Sequence, residues 1–256
     1  MQIDTVLFAA GRASSSLVTK TGVEIKALIE LNDKTLLEHG IDALRGSCRT
    51  GKIFLVGPEA VLGHPAAESC DVALPASDGN SIHDSIVIAL DSLTGSGQFL
   101  AEHTLIITAD LPFVSAEAVN AFLDGCSEDS EICVPVVTKR GFEARFPGAP
   151  AGFVRLKDGE VTLGCAFLLK SDLLSRRKRE LEHVFEATKS QAGIARLLGP
   201  GVVFKYLTGR LTLEDIEDQC GKILDCNGQC VRGAPPELAF DVDTEADFDY
   251  ASTAPR

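Results

Sequence analysis

Along most of the chain, short apolar runs alternate with segments whose apolar residues recur every three or four positions. The run Thr5-Val6-Leu7-Phe8-Ala9-Ala10, closed by Gly11, reads as a buried parallel strand that empties into a polar loop over 12–24. A short strand is expected at 27–31, a turn at Asn32-Asp33-Lys34, and a helix carrying Leu36, Leu37, Ile41 and Leu44 on one face. Strands follow at 52–57 and 72–74, then a helix over 81–93 with Ile82, Ile86 and Leu90 inward. The run 104–109 is the clearest core strand, and Ser115 with Glu117 opens a helix that buries Val119, Phe122 and Leu123. Further strands are expected at 132–137 and 161–169, helix over most of 171–198, a strand at 238–242 and a helix start at Thr244. Strands alternating with helices predict an α/β protein with a mainly parallel sheet covered on both faces. Ligands of such sheets bind beyond the carboxyl ends of the strands, so the residues to watch are Gly11-Arg12, Asp110 and Asp243.

Asp110 closes its apolar strand and precedes Leu111-Pro112, a placement that suits a hard cation in the crevice and equally a turn or helix N-terminal carboxylate. Alternation puts Asp241 and Asp243 on one strand face, while Thr244 with Asp247 reads as a capping box for the next helix. Two acidic strand ends at one sheet edge suit a divalent metal. Lys26, between the polar loop and a buried segment, has the charge to offset a phosphate. The loop matches neither the Walker nor the dinucleotide glycine spacing. Cys220, Cys226 and Cys230 lack a zinc-type pairing and read as structural thiols; His83 reads as an exposed helix position near a turn. No nucleophile elbow or Cys/His arrangement supports hydrolase chemistry.

Composition narrows the function classes. The 256 residues include 24 Lys and Arg against 37 Asp and Glu, a formal charge of -13 that disfavours binding to nucleic acid. No stretch has the roughly 18 apolar residues of a membrane span, and the start Met1-Gln2-Ile3-Asp4 lacks the basic run of a signal peptide, so the expected location is cytoplasmic. The eight cysteines are expected to be reduced thiols.

The order of these pieces resembles the MobA-like nucleotidyltransferases. Ala9-Ala10-Gly11-Arg12 is similar to the first-strand signature loop, Lys26-Ala27-Leu28 and Lys34-Thr35-Leu36-Leu37-Glu38 to the signature lysine and first helix turn. Gly79-Asn80-Ser81 and Ser85 fall where the family contacts the nucleotide. The segment 106–112 resembles the metal-binding aspartate strand, and 240–247 the motif that supplies the second metal ligand. Thr162-Leu163-Gly164-Cys165 and Thr188-Lys189-Ser190 parallel two acceptor-side elements. The chain departs from the pattern at Ala10 and Ala13-Ser14-Ser15, where glycines are usual, at Ile25 for proline, at Leu163 and Cys165 for glycine and asparagine, and at Gln191 for proline.

The resemblance implies one MobA-like NTP transferase domain over 1–256, with a three-layer α/β/α architecture and a mainly parallel mixed sheet of the nucleotide-diphospho-sugar transferase (glycosyltransferase-A-like) type. It implies a Mg²⁺-dependent transfer of a nucleotidyl group from a nucleoside triphosphate to a small phosphorylated acceptor, with release of pyrophosphate. Asp110 and Asp243 would hold the metal. With Lys26 they form the catalytic set. Ala10, Gly11, Arg12, Lys26, Gly79, Asn80, Ser81 and Ser85 would bind the nucleotide; Gly164 and Lys189 would face the acceptor. A homo-oligomer is compatible with this reading, and neither nucleic acid nor membrane is an expected partner. A noncatalytic nucleotide- or sugar-phosphate-binding protein and a glycosyltransferase using a nucleotide sugar stay open as alternatives.

Overall fold

The computed structural model describes residues 2–76, 102–188 and 191–254. The helix expected at 81–93, and with it Gly79, Asn80, Ser81 and Ser85, lies outside the described residues, as does Lys189. The strands are β1 (Ile3–Phe8), β2 (Glu30–Leu31), β3 (Lys34–Thr35), β4 (Thr50–Gly57), β5 (Val72–Pro75), β6 (His103–Thr108), β7 (Ile132–Thr138), β8 (Val154–Leu156), β9 (Gly159–Leu163), β10 (Ala166–Lys170) and β11 (Gly228–Arg232). Among the described residues nine of them share one sheet in the order β5-β4-β1-β6-β10-β7-β9-β8, with β11 paired to β7. β5, β4, β1 and β6 run parallel, β11 is parallel to β7, and β10 lies antiparallel between β6 and β7.

The period-two alternation of the central strands sorts their side chains to two covered faces. Leu7, Leu55, Leu105 and Ile107 point to one face, against Leu37, Ile41 and Leu44 of the helix Leu36–Gly46 and Val119 and Phe122 of the helix Ala116–Gly125. Val6, Phe8, Phe54, Val56 and Ile106 point to the other, against Leu173, Leu181 and Leu224 from the helices Ser171–Arg176, Lys178–Thr188 and Leu213–Leu224. The result is the expected three-layer α/β/α arrangement with a mainly parallel mixed sheet.

Local chemistry explains the boundaries. Thr35 accepts from Glu38 N while Glu38 accepts from Thr35 N, a capping box that starts the helix Leu36–Gly46. Asn32 and Asp33, at φ 56° and 65°, make the tight turn between β2 and β3, as two residues that tolerate left-handed backbone do.

Four expectations fail. The loop over 12–24 contains the helix Ser15–Thr21, closed by Gly22 at φ 73°; it buries a single leucine, Leu17, so no apolar stripe announces it. The segment 27–31 is a 3₁₀ turn, Lys26–Leu28, followed by the two residues of β2. The run 161–169 is two strands, because Gly164 N turns to Pro135 O (2.9 Å) and Cys165 N to Leu238 O (2.7 Å). The run 238–242 is no strand: it begins in the 3₁₀ turn Pro236–Leu238, and its backbone meets two different segments, Leu238 O accepting from Cys165 N and Val242 N donating to Asp110 O at 3.1 Å, in place of a ladder.

Candidate active site

The site forms where β1, β4 and β6 leave the sheet side by side. Ala9 N donates to Val56 O and Ala109 N to Phe8 O, both at 2.8 Å, so Ala10-Gly11 and Asp110 emerge next to one another. The chain after Gly11 then doubles back. Ala13 N donates to Glu24 O (2.8 Å) and Lys26 N to Gly11 O (2.9 Å), and Arg12 and Ile25 form an antiparallel bridge. The helix Ser15–Thr21 fills the bend. Lys26 is thereby returned to the strand it followed. A narrow cleft results, lined by Phe8, Ala9, Ala10, Gly11, Lys26, Thr108 and Asp110. A Cβ placed on Gly11 meets nothing closer than Lys26 Cδ at 3.6 Å, so packing within the protein does not demand glycine there; its missing side chain keeps the cleft open.

The third wall is the crossing segment 238–243. Phe240 is clasped by aromatic rings: Phe113 at 5.0 Å and 82°, Phe146 at 5.2 Å, and Phe142 stacked at 6.1 Å. Beyond it, the buried carboxylate of Asp247 accepts from Thr244 N (2.7 Å), Thr244 Oγ1 (2.7 Å) and Asp243 N (3.2 Å). This is the expected capping box of the helix Glu245–Thr253. Ser14 Oγ donates to Asp243 O at 3.1 Å, and Lys20 Nζ reaches Glu245 (3.2 Å) and Asp249 (2.9 Å), tying this helix to the doubled-back loop. These contacts hold the Asp243 backbone, with Asp241 just before it, at the mouth of the cleft.

Carboxylate oxygens of Asp110, Asp241 and Asp243 all lie within 4.8 Å of one another. Lys26 Nζ donates to Asp110 Oδ2 at 3.0 Å and to Asp243 Oδ1 in a shorter contact. Burial works to lower the Lys26 pKa, but the Asp110 and Asp243 charges and hydrogen bonds beside it outweigh burial and raise it, keeping the ammonium charged. Burial, reinforced by the negative charges of Asp110 and Asp243, pushes the Asp241 carboxyl up to about 7. Asp110 Oδ1 is buried with no hydrogen-bond partner.

Of the residues singled out from sequence, the structure brings Ala10, Gly11, Lys26, Asp110 and Asp243 together. Arg12 turns aside to Glu24 at 3.1 Å, on the exposed surface. Thr162 and Leu163, with Leu163 55% exposed, line an open depression that shares Asp241 and Asp243 with the carboxylate cluster. Gly164 is buried: an added Cβ would lie 2.8 Å from both Leu238 O and Pro135 Cγ. Asp241 ranks below Asp243 on the motif, yet its carboxylate is a full member of the cluster. Ser14, which steadies Asp243, carries no sequence signal beyond its place in the loop.

These features define a protein of the nucleotide-diphospho-sugar transferase fold. A protein from Thermus thermophilus, described as a hypothetical transferase, superimposes with a TM-score of 0.81 and 28% identity, covering 97% of this chain and all of the other. The 2-C-methyl-D-erythritol 4-phosphate cytidylyltransferase of Thermus thermophilus shares the fold at TM-score 0.53 and 18% identity over 98% of each chain. Residues 5–199 match the MobA-like NTP transferase domain, and the chain belongs to that family. A curated relative, the molybdenum cofactor guanylyltransferase of Shewanella loihica (strain ATCC BAA-1088 / PV-4), is 27% identical over 146 residues; the match spans 54% of this chain and 65% of that protein. Among the described residues no helix is long and apolar enough to cross a membrane.

Proposed function

We propose that the protein transfers a nucleotidyl group from a nucleoside triphosphate to a small phosphorylated acceptor, releasing pyrophosphate. The observation that supports this most is the meeting of Lys26 with Asp110, Asp241 and Asp243 at the mouth of the Ala10-Gly11 cleft. Cation and carboxylates at one strand edge suit a triphosphate and its metal, and the family points the same way.

Among the described residues the donor set is three carboxylates, which fits a hard divalent ion such as Mg²⁺. A buried carboxylate oxygen without a partner, like Asp110 Oδ1, is also what such an ion would satisfy. Asp110 and Asp243 would hold it, with Asp241 beside them. When bound, the ion supplies Lewis-acid polarisation and charge neutralisation of the transferring group.

The protein's own groups account for the rest. An acceptor oxygen forms a bond to the α-phosphorus as the bond from that phosphorus to the bridging oxygen breaks, and pyrophosphate leaves with the electron pair. Charge builds on oxygen, so the chain's task is to position and to neutralise. Lys26 offsets triphosphate charge, and Gly11 leaves room for phosphate or base to approach the backbone. Gly79, Asn80, Ser81 and Ser85 are assigned to the nucleotide, and Lys189 to the acceptor phosphate, by family resemblance. Thr162 and Leu163 would border the acceptor; their lining of the depression that opens on Asp241 and Asp243 supports this.

The test is pyrophosphate release from each of the four NTPs with Mg²⁺ and mixed sugar phosphates, followed by product mass. Pyrophosphate with a nucleotidylated product supports transfer. Nucleoside diphosphate released from a nucleotide sugar points instead to glycosyl transfer. A nucleotide-induced thermal shift with neither product points to a binding protein.

A further inference from the structure

We propose that Lys26 stands in for the divalent cation in the nucleotide-free protein, so that the cation enters with the triphosphate and not ahead of it. The inference rests on the reading of this site as a metal–triphosphate site.

Lys26 Nζ already makes the contacts a cation would want, to Asp110 Oδ2 at 3.0 Å and to Asp243 Oδ1. The remaining oxygen of Asp110 is buried, so neither oxygen of that carboxylate is open while the ammonium stays. This is no swinging surface lysine. Its side chain is 13% exposed, its N–H is fixed to Gly11 O at 2.9 Å, and its carbonyl accepts from Ile29 N at 3.0 Å. Only the side chain is free to choose another partner.

A dication entering alone would compete for the same oxygens with a unit positive charge a few ångströms away, in a half-buried setting where that repulsion is weakly screened. A triphosphate changes the balance. It offers the ammonium new anionic oxygens and brings the dication bound to itself. The carboxylates are then exchanged from lysine to metal without ever being left uncompensated, which matters most for Asp110, whose side chain is largely withdrawn from water.

The probe is Mn²⁺, followed by water-proton relaxation enhancement without nucleotide. Wild type is expected to bind it weakly. Lys26→Met, which keeps length and removes charge, is expected to bind it at least about tenfold more tightly, while Lys26→Arg stays near wild type. Asp110→Asn added to Lys26→Met is expected to abolish the gain, which locates it at this cluster. Equal Mn²⁺ affinity in wild type and Lys26→Met overturns the inference. So does a gain that survives Asp110→Asn. Should melting curves show that Lys26→Met does not fold, wild type alone decides: tight Mn²⁺ binding before nucleotide is added refutes the stand-in, and binding that appears only with α,β-methylene NTPs supports it. Failure of the transfer reading is separately visible, as absent pyrophosphate release.

Discussion

Adding one methyl group at Gly164 should unsettle the wall that carries the acidic pair. In Gly164→Ala the new Cβ would lie 2.8 Å from Leu238 O, 2.8 Å from Pro135 Cγ and 3.3 Å from the Leu238 carbonyl carbon. The first and last of these are backbone atoms and cannot rotate away. Overpacking of this kind costs about 1–3 kcal/mol. Alanine also restricts the unfolded chain, which returns about 0.4–1 kcal/mol. The net is a loss on the order of 1–2 kcal/mol, or roughly 2–8 °C in melting temperature for a chain of this size. Relief of the clash must move Leu238, which accepts from Cys165 N, and Leu238 leads directly into Phe240 and Asp241. Mg²⁺–NTP affinity should therefore fall together with stability. Gly152→Ala is the control, since Gly152 lines the depression bordered by Thr162 and Leu163, and a Cβ there meets nothing within 4 Å. Thermal melts by circular dichroism and NTP titration read both effects. A Gly164→Ala protein that melts like wild type, with only the acceptor KM raised, would show that the glycine serves the acceptor and not the wall.

Asp110→Asn is expected to remove most activity and most Mg²⁺-dependent NTP binding, measured by calorimetry, while the melting temperature moves only a few degrees. Asp241→Asn is expected to weaken Mg²⁺ dependence as well and to raise the melting temperature of the metal-free protein, because it removes a charge disfavoured by burial and by Asp110 and Asp243; a lower melting temperature would contradict the cluster. Lys26→Gln should weaken NTP binding strongly, with Lys26→Arg retaining part of it, in filter-binding or calorimetric titrations; equal NTP affinity in wild type and Lys26→Gln would reject the phosphate role. Thr244→Ala removes a helix cap and should cost about 1 kcal/mol, roughly 2–4 °C, in a thermal melt.

What can be read from residues alone depends on how locally each element is determined. The runs of β1, β4 and β6 are buried on both sides, so apolar continuity announces them, and Asp110 stands out because it ends one such run. The capping box at Thr244 is equally local and equally legible. The helix Ser15–Thr21 is not, since Leu17 alone anchors it. The break at Gly164 depends on Pro135 and Leu238, partners distant in sequence that no window contains. The same holds for 238–242, an apolar run whose backbone crosses other segments where a strand would extend a ladder. Asp241 is undervalued by its motif for that reason: its position follows from the clasp around Phe240, not from strand alternation.

The site joins residues separated by 217 positions, Lys26 from near one end of the chain and Asp243 from near the other. During synthesis at about 5–20 residues per second, roughly 10–40 s pass between the emergence of the lysine and that of its second carboxylate. Asp110 follows Lys26 by 84 positions, about 4–17 s at that rate; from then until Asp243 emerges, β1, β4 and β6 have what they need to pair, while of the two carboxylates that hold Lys26 the first alone has been made. The second carboxylate thus arrives after all the described strands of the sheet. The same order runs backwards under stress: loosening the helix Glu245–Thr253, held by its cap and by Lys20 and Ser14, would disarm the protein while its sheet still stands.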